Sequence, residues 1–205
     1  MSDARRVVLA TRNDHKVVEL REILGDVCAE LGLEIVGASE WPDAPDVTED
    51  EVTFEGNARL KAEALARHTG LPALADDSGL AVDVLGGAPG IFSARWSGRH
   101  GDDRANLNLL LAQLADVKDE HRAAGFVCAA VLALPDGTVR SAAGHFRGTL
   151  AREPRGENGF GYDPILVVEG DTRTAAELTP AEKNAISHRG KAFRAMEPHL
   201  RELLG

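Results

Sequence analysis

Four polar segments carry the residues whose types and spacing could do chemistry. The first is Thr11, Arg12, Asn13, Asp14, His15 and Lys16, between an apolar run and a helical pattern. Backbone N–H groups at a helix start, with Thr11, Asn13 and Lys16, suit a phosphate. The glycines of a Walker loop are missing, so a polar turn with Asn13 as helix cap is the alternative. The second is Asp76-Asp77-Ser78-Gly79. Two adjacent carboxylates are unfavourable unless charge neutralises them, which Mg²⁺ does with oxygen ligands while keeping several waters. A carboxylate there could also orient or deprotonate a water attacking phosphorus. The alternative is a solvated turn.

Upstream stand Glu49, Asp50 and Glu51. If this segment folds over Asp77, Glu49 becomes a second metal carboxylate; otherwise it is a solvated loop. Asn57 and Lys61 are four apart and share a helix face. The Lys61 charge could reach a phosphoryl oxygen, or remain on the surface. The third segment, residues 156–164, is rich in glycine, which lets a backbone approach a ligand closely. Phe160 and Tyr162 suit stacking on a purine, and Asp163 could accept a hydrogen bond from base or ribose. A tight turn with its aromatics in the core is the alternative. The fourth, residues 182–191, holds Lys183, His188, Arg189 and Lys191. These could bind phosphates or base oxygens, Arg through a bidentate fork. A helix C-terminus attracting cations explains one or two of them.

The elements that must position these residues follow from apolar periodicity. Residues 7–10, 33–36, 72–75, 80–85, 126–134, 139–146 and 165–168 read as strands. Helices are expected over 17–24, closed by Gly25, and over 54–68, capped by Thr53 and stopped by Gly70. A third carries Leu107, Leu110, Leu111 and Leu114 on one face after Asp102 or Asp103 as cap. Thr179-Pro180-Ala181-Glu182 reads as a capping box with Pro at the first helical position. A last helix holds Phe193, Met196, Leu200 and Leu204. Asp136-Gly137 marks a hairpin. Strands alternating with helices plus one antiparallel hairpin predict an α/β fold with a mixed sheet. Three of the polar segments then fall at strand ends, where ligands of open α/β sheets gather.

The 205 residues fit one domain, 1–205, with room for a substantial core. Aromatics are 4% and net charge is −10, which argues against a nucleic-acid binder needing a basic face. Cys28 and Cys128 have no metal-ligand spacing and read as small core residues. Residues 1–6 lack the apolar region of a signal peptide, and no apolar stretch approaches the ~20 residues of a membrane span. The expected setting is the reduced cytoplasm, with no membrane partner.

The stretches LATRNDHKVVEL, TFEGNARLKAEA, PALADDSGLAVDVLGGAPGIFSARWSG, GFGYDPI and EKNAISHRGKAF together resemble the inosine and xanthosine triphosphate pyrophosphatases. They spread from residue 9 to 193. The resemblance implies an elongated mixed sheet flanked by helices, in two lobes with the nucleotide in the cleft between them, a homodimer, and Mg²⁺. It implies that Thr11 to Lys16 contact the triphosphate. Asp77 would be metal ligand or catalytic carboxylate, while the charged loop of Glu49 aligns in more than one register. Ser78 would touch substrate; Phe160, Gly161, Tyr162 and Asp163 would hold the nucleoside; Lys183, His188 and Arg189 would read base and phosphates. Arg12 departs from the small residue many relatives have there, and Gly156-Glu157-Asn158-Gly159 from a common Gly-Thr-Gly.

The implied reaction is attack of a metal-activated water on dITP, ITP or XTP, releasing pyrophosphate and a monophosphate. Three rival readings are a pyrophosphatase for modified pyrimidine nucleotides, a nucleotide-binding module without catalysis, and a structural RNA-binding protein. The Asp76-Asp77 pair favours an enzyme over the module, since a triphosphate binder has less use for extra negative charge. Acidity and few aromatics disfavour the RNA binder.

Overall fold

A computed structural model describes residues 5–12 and 14–205, the side chains of Asp14 and His15 excepted. The elements are β1 (Arg5–Leu9), α1 (Asp14–Ile23), α2 (Gly25–Leu31), β2 (Leu33–Gly37), α3 (Phe54–Thr69), β3 (Ala73–Val82), α4 (Asp103–Gln113), β4 (Ala123–Ala133), β5 (Val139–Leu150), β6 (Leu166–Val168), α5 (Pro180–Ile186) and α6 (His188–Leu204). The strands form one six-stranded sheet in the order β2-β1-β3-β4-β5-β6. It is mixed: β1 pairs in parallel with β2 and with β3, and β5 pairs antiparallel with β6. The expected α/β class and hairpin are both present, with Leu134 and Thr138 closing the turn between β4 and β5.

Most expected caps do their work. The Thr53 hydroxyl accepts from the Gly56 N–H, Asp102 accepts from the Ala105 N–H, and Thr179 with Glu182 completes a capping box. Gly25 is a correction. Leu24 stays at φ −99°, so Gly25 opens α2 rather than ending a helix, and the left-handed stop is Gly32 at φ 62°. A second correction is larger. Asp76-Asp77-Ser78-Gly79 is neither a turn nor a strand end; β3 runs straight through it. Within it the two aspartates point to opposite faces of the sheet, Asp76 meeting Lys16 and Arg189 and Asp77 meeting Lys61.

Two compact units divide the chain: Met1–Asp77 with Cys128–Gly144 and Arg189–Gly205, and Ser78–Val127 with His145–His188. In the first unit, strand side chains alternate between two cores, as the pleat requires. Val7, Leu9, Leu74, Cys128, Ala130 and Leu132 join Leu20, Phe193 and Met196 of α1 and α6 in one cluster. Val8, Ala73, Ala75, Val131 and Ala133 join Ala58, Ala62 and Leu65 of α3 in another. Cys128 is the buried core residue expected, and Cys28 packs partly buried against the α1 and α6 side.

The second unit packs Leu80, Val82, Phe126 and Phe146 of the strands against Leu107, Leu110 and Leu114 of α4. Arg122 is 1% exposed and donates to three backbone carbonyls, Leu150, Leu114 and Ala151, at 2.8, 2.6 and 3.0 Å. It thereby caps the end of α4 and ties it to the end of β5. Burial pushes its pKa down, yet an arginine stays charged. Replacing Arg122 with Ala leaves these carbonyls without their donor, and we expect a loss of about 3–5 kcal/mol in urea unfolding. A loss under about 1 kcal/mol would show that the carbonyls find other donors.

Candidate active site

Alternation along β3 decides what the two aspartates face. Asp76 follows Leu74 toward α1 and α6, and Asp77 follows Ala73 and Ala75 toward α3. Asp76 is 8% exposed. Arg189 Nε lies 3.2 Å from its Oδ2 and Lys16 Nζ 3.6 Å from its Oδ1. Burial alone would push the Asp76 carboxyl up, but Lys16, Arg189 and Lys61 outweigh it and hold the carboxyl far below its usual range. Arg189 also pairs with Glu19 at 3.2 Å. It sits at the start of α6, where the helix dipole disfavours a cation, so two carboxylates offset that position. Lys183, His188, Arg189 and Lys191 therefore do not share one helix C-terminus: α5 ends at Ile186, and His188 opens α6.

Asp77 is half-buried and faces a poorer balance of charge. Lys61 Nζ is 3.5 Å from Asp77 Oδ1 and 2.9 Å from Glu49 Oε1. Burial raises the Asp77 pKa, and the charges of Glu49 and Asp76 add to this against the pull of Lys61 and the Asn57 amide. Burial disfavours the Lys61 charge, but Asp77 and Glu49 more than restore it, so its pKa rises. Lys61 thus stays an ammonium between two carboxylates, one of which holds its proton unusually well. Among the described residues, no group of three or more His, Cys, Asp or Glu is placed to hold a metal. Mg²⁺ needs only one or two protein carboxylates when substrate phosphates and water complete its shell. Asp77 and Glu49, converging on one cation already, fit that donor set.

The acidic segment lies against α3, with Glu49 on Lys61 and the Glu51 N–H donating to Asn57 Oδ1. Its earlier part is fastened by Arg12, whose guanidinium donates to Asp46 Oδ1 at 2.9 Å and to the Ala44 carbonyl at 3.0 Å. Arg12 is therefore engaged as a latch on this segment. Thr11, Arg12, Asp46, Val47 and Lys61 line a solvent-open cavity in the first unit. Of the first loop, Thr11 lines this cavity with Lys61, and Lys16 pairs with Asp76. Asn13 lies outside the described residues, as do the side chains of Asp14 and His15.

In the second unit, the glycine-rich loop is held by its own polar groups. Asp163 is buried and accepts from the Phe160 N–H at 2.8 Å and from Lys183 Nζ at 2.5 Å. Gly159 sits at φ 75°, where a Cβ would meet Asp163 Oδ2 at 2.1 Å, so only glycine fits. Phe160 is 64% exposed, with Lys183 Nζ 5.5 Å from its ring centroid. Tyr162 differs from expectation. Its ring is in the core and its hydroxyl donates to the Ser93 carbonyl at 2.9 Å, which leaves Phe160 as the exposed aromatic ring of the loop. His188 is buried and stacks on Phe126 at 5.0 Å between centroids. Ser78, half-buried, follows Asp77 as the first residue of this unit.

The pattern of the Ham1 family matches residues 7–199. The chain belongs to the Ham1 family. A dITP/XTP pyrophosphatase of Streptomyces avermitilis is 68% identical over 98% of this chain and 99% of its own length. That of Mycobacteroides abscessus is 51% identical over 97% and 96%. Among solved structures, a HAM1 protein from Coxiella burnetii superposes with TM-score 0.88 at 43% identity, covering 97% of this chain and 99% of its own. The Ham1 protein of Staphylococcus aureus gives TM-score 0.86 at 38% identity, with the same coverage.

Sequence reasoning missed Glu19 of this Ham1-family chain, and the contacts of Asn57 and Asp103. Glu19 supports Arg189, and its position three residues after Lys16 on one helix face was a usable signal. Asn57 donates to Asp77. Asp103, beside the Asp102 cap, accepts from the Gly161 N–H at 3.0 Å and so tethers the aromatic loop to α4; nothing local in the sequence reveals that contact. Replacing Asp103 with Ala should loosen the loop and raise KM for a purine nucleotide severalfold, with kcat less affected. A KM equal to the parent's in steady-state kinetics would remove Asp103 from the loop's support.

Proposed function

We propose that this chain hydrolyses deaminated purine nucleoside triphosphates, dITP, ITP and XTP, to the monophosphate and pyrophosphate, as one catalytic domain spanning residues 1–205. The observation that carries this reading is the Asp77–Lys61–Glu49 cluster, in a Ham1-family chain whose full-length relatives are named for that activity. Thr11, which lines a cavity with Lys61, and Lys16, beside Asp76, would contact the triphosphate. Phe160 would be the stacking face for the purine, with Lys183 and His188 as donors toward a 6-oxo group. Adenine carries an amino group at that position, so the same donors disfavour it.

Asp77 and Glu49 would hold Mg²⁺, which supplies positive charge to the phosphate oxygens. Asp77 accepts the proton of the attacking water. The water oxygen bonds to phosphorus, the α–β anhydride bond breaks, and pyrophosphate leaves with the electron pair. Lys61 neutralises charge developing on the phosphoryl oxygens, usually the largest catalytic contribution. Asp76 takes no proton; it holds Lys16 and Arg189. The resemblance also supports a homodimer in the cytoplasm. Both cysteines are free thiols, and no helix among the described residues is long and apolar enough to cross a membrane.

Pyrophosphate release from ITP, dITP, XTP, GTP, ATP and dUTP tests the reading. The expected result is release from the first three with Mg²⁺, little from the others, and none with EDTA. Asp77→Asn should lower kcat by about 10²–10⁴-fold. Preference for dUTP, or no release from any nucleotide, would overturn the assignment.

A further inference from the structure

Asn57 stands at the end of the first turn of α3 and is 1% exposed. Its carboxamide is used twice within the first unit. The Glu51 backbone N–H donates to Asn57 Oδ1 at 3.0 Å, and Asn57 Nδ2 donates to Asp77 Oδ2 at 3.3 Å. The first bond orients the second. A backbone N–H can only donate, so the amide oxygen must face Glu51 and the amide nitrogen must face Asp77. The two oxygens of Asp77 are thereby distinguished. Oδ2 is held by the amide, and Oδ1 is the one 3.5 Å from Lys61 Nζ. Glu51 is two residues from Glu49, whose carboxylate lies 2.9 Å from the same Nζ.

A second observation involves the preceding residue. A Cβ at Gly56 would come 2.7 Å from Glu51 Cβ and 3.1 Å from Thr53 Oγ1. Glycine in a helix interior is ordinarily unfavourable, and here it lets the acidic segment lie against the helix. Gly56 provides the close approach and Asn57 the bond that fixes it.

We propose that Asn57 is a positioning residue for the metal-binding carboxylates. One amide fastens the segment that carries Glu49 and orients Asp77, so α3 sets the spacing of the two carboxylates. The proposal rests on the reading of Asp77 and Glu49 as Mg²⁺ ligands; Asn57 itself touches neither metal nor substrate. Removing a group that orients a metal ligand typically lowers metal affinity or activity about 10–100-fold.

The test uses the full chain with Mn²⁺ alone as probe, titrated by calorimetry without nucleotide, beside kcat and KM for ITP. Asn57→Ala should weaken Mn²⁺ binding and lower kcat, each about tenfold or more, while KM stays within a factor of about three. Asn57→Asp keeps the shape and the acceptor for Glu51 N–H but presents an acceptor to Asp77. It should fold with the segment in place and still lose kcat at least about tenfold. Gly56→Ala should weaken Mn²⁺ binding although the exchange favours a helix. A folded Asn57→Ala protein with parental Mn²⁺ affinity and kcat would overturn the proposal. If that variant fails to fold, parental kcat in Asn57→Asp overturns it equally. A parent that releases no pyrophosphate removes the enzymatic reading, yet the Mn²⁺ affinities of parent and variants still decide the positioning role.

Discussion

Successive side chains of a β-strand point to opposite faces of the sheet, and in β3 that alternation falls on two aspartates. Leu74 and Asp76 face α1 and α6; Ala73, Ala75 and Asp77 face α3. Neighbours in sequence thus work in separate environments. Asp76 meets Lys16 and Arg189, and its charge is compensated within the fold. Asp77 shares one lysine with Glu49, and its charge is compensated only in part. An under-compensated carboxylate is unfavourable for the folded protein and useful to a chemistry that brings a cation and a proton to it.

The rest of the first unit serves that division. Arg189 stands in the first turn of α6 against the helix dipole, so α6 depends on Asp76 and Glu19 to keep it there. Helix α3 contributes Lys61 and Asn57 from one face, and its apolar Ala58, Ala62 and Leu65 press that face onto the strands. The second unit applies a different economy of groups. Asp163 holds both the Phe160 backbone and Lys183, which leaves a phenyl ring in solvent beside an ammonium. One unit presents charge and the other a flat apolar face. Two of the four boundaries between them, Asp77–Ser78 and His188–Arg189, fall inside segments singled out for chemistry.

Local patterns were the legible part. The Thr53 and Thr179 caps, the hairpin at Asp136-Gly137, the leucine face of α4 and the mixed α/β class all follow from spacing and turn chemistry. Asp76-Asp77-Ser78-Gly79 was misread as a strand end because turn-forming residues outweigh strand propensity when distant cations are invisible. Gly25 was read as a stop because a glycine after an amphipathic run does not reveal its φ. Sequence leaves Tyr162 open between stacking and the core because its core partners are remote along the chain. The contacts of Arg122, Asn57 and Asp103 reach across tens of residues, and no local window contains them. The family resemblance marked Asp77, and spacing and charge marked Lys61 and Glu49, but neither showed that Asp76 has a separate task.

The most direct test compares urea-unfolding stabilities of Asp76→Asn and Asp77→Asn near neutral pH. Asp76→Asn should be less stable than the parent by about 3–5 kcal/mol, because it leaves the buried Arg189 without one of its partners. Asp77→Asn should be as stable as the parent or slightly more so, because it removes a carboxylate that burial and Glu49 disfavour. Opposite effects from adjacent residues would establish the division of labour along β3. Equal losses in both variants would contradict it, and would mean that the two carboxylates belong to one structural ion network.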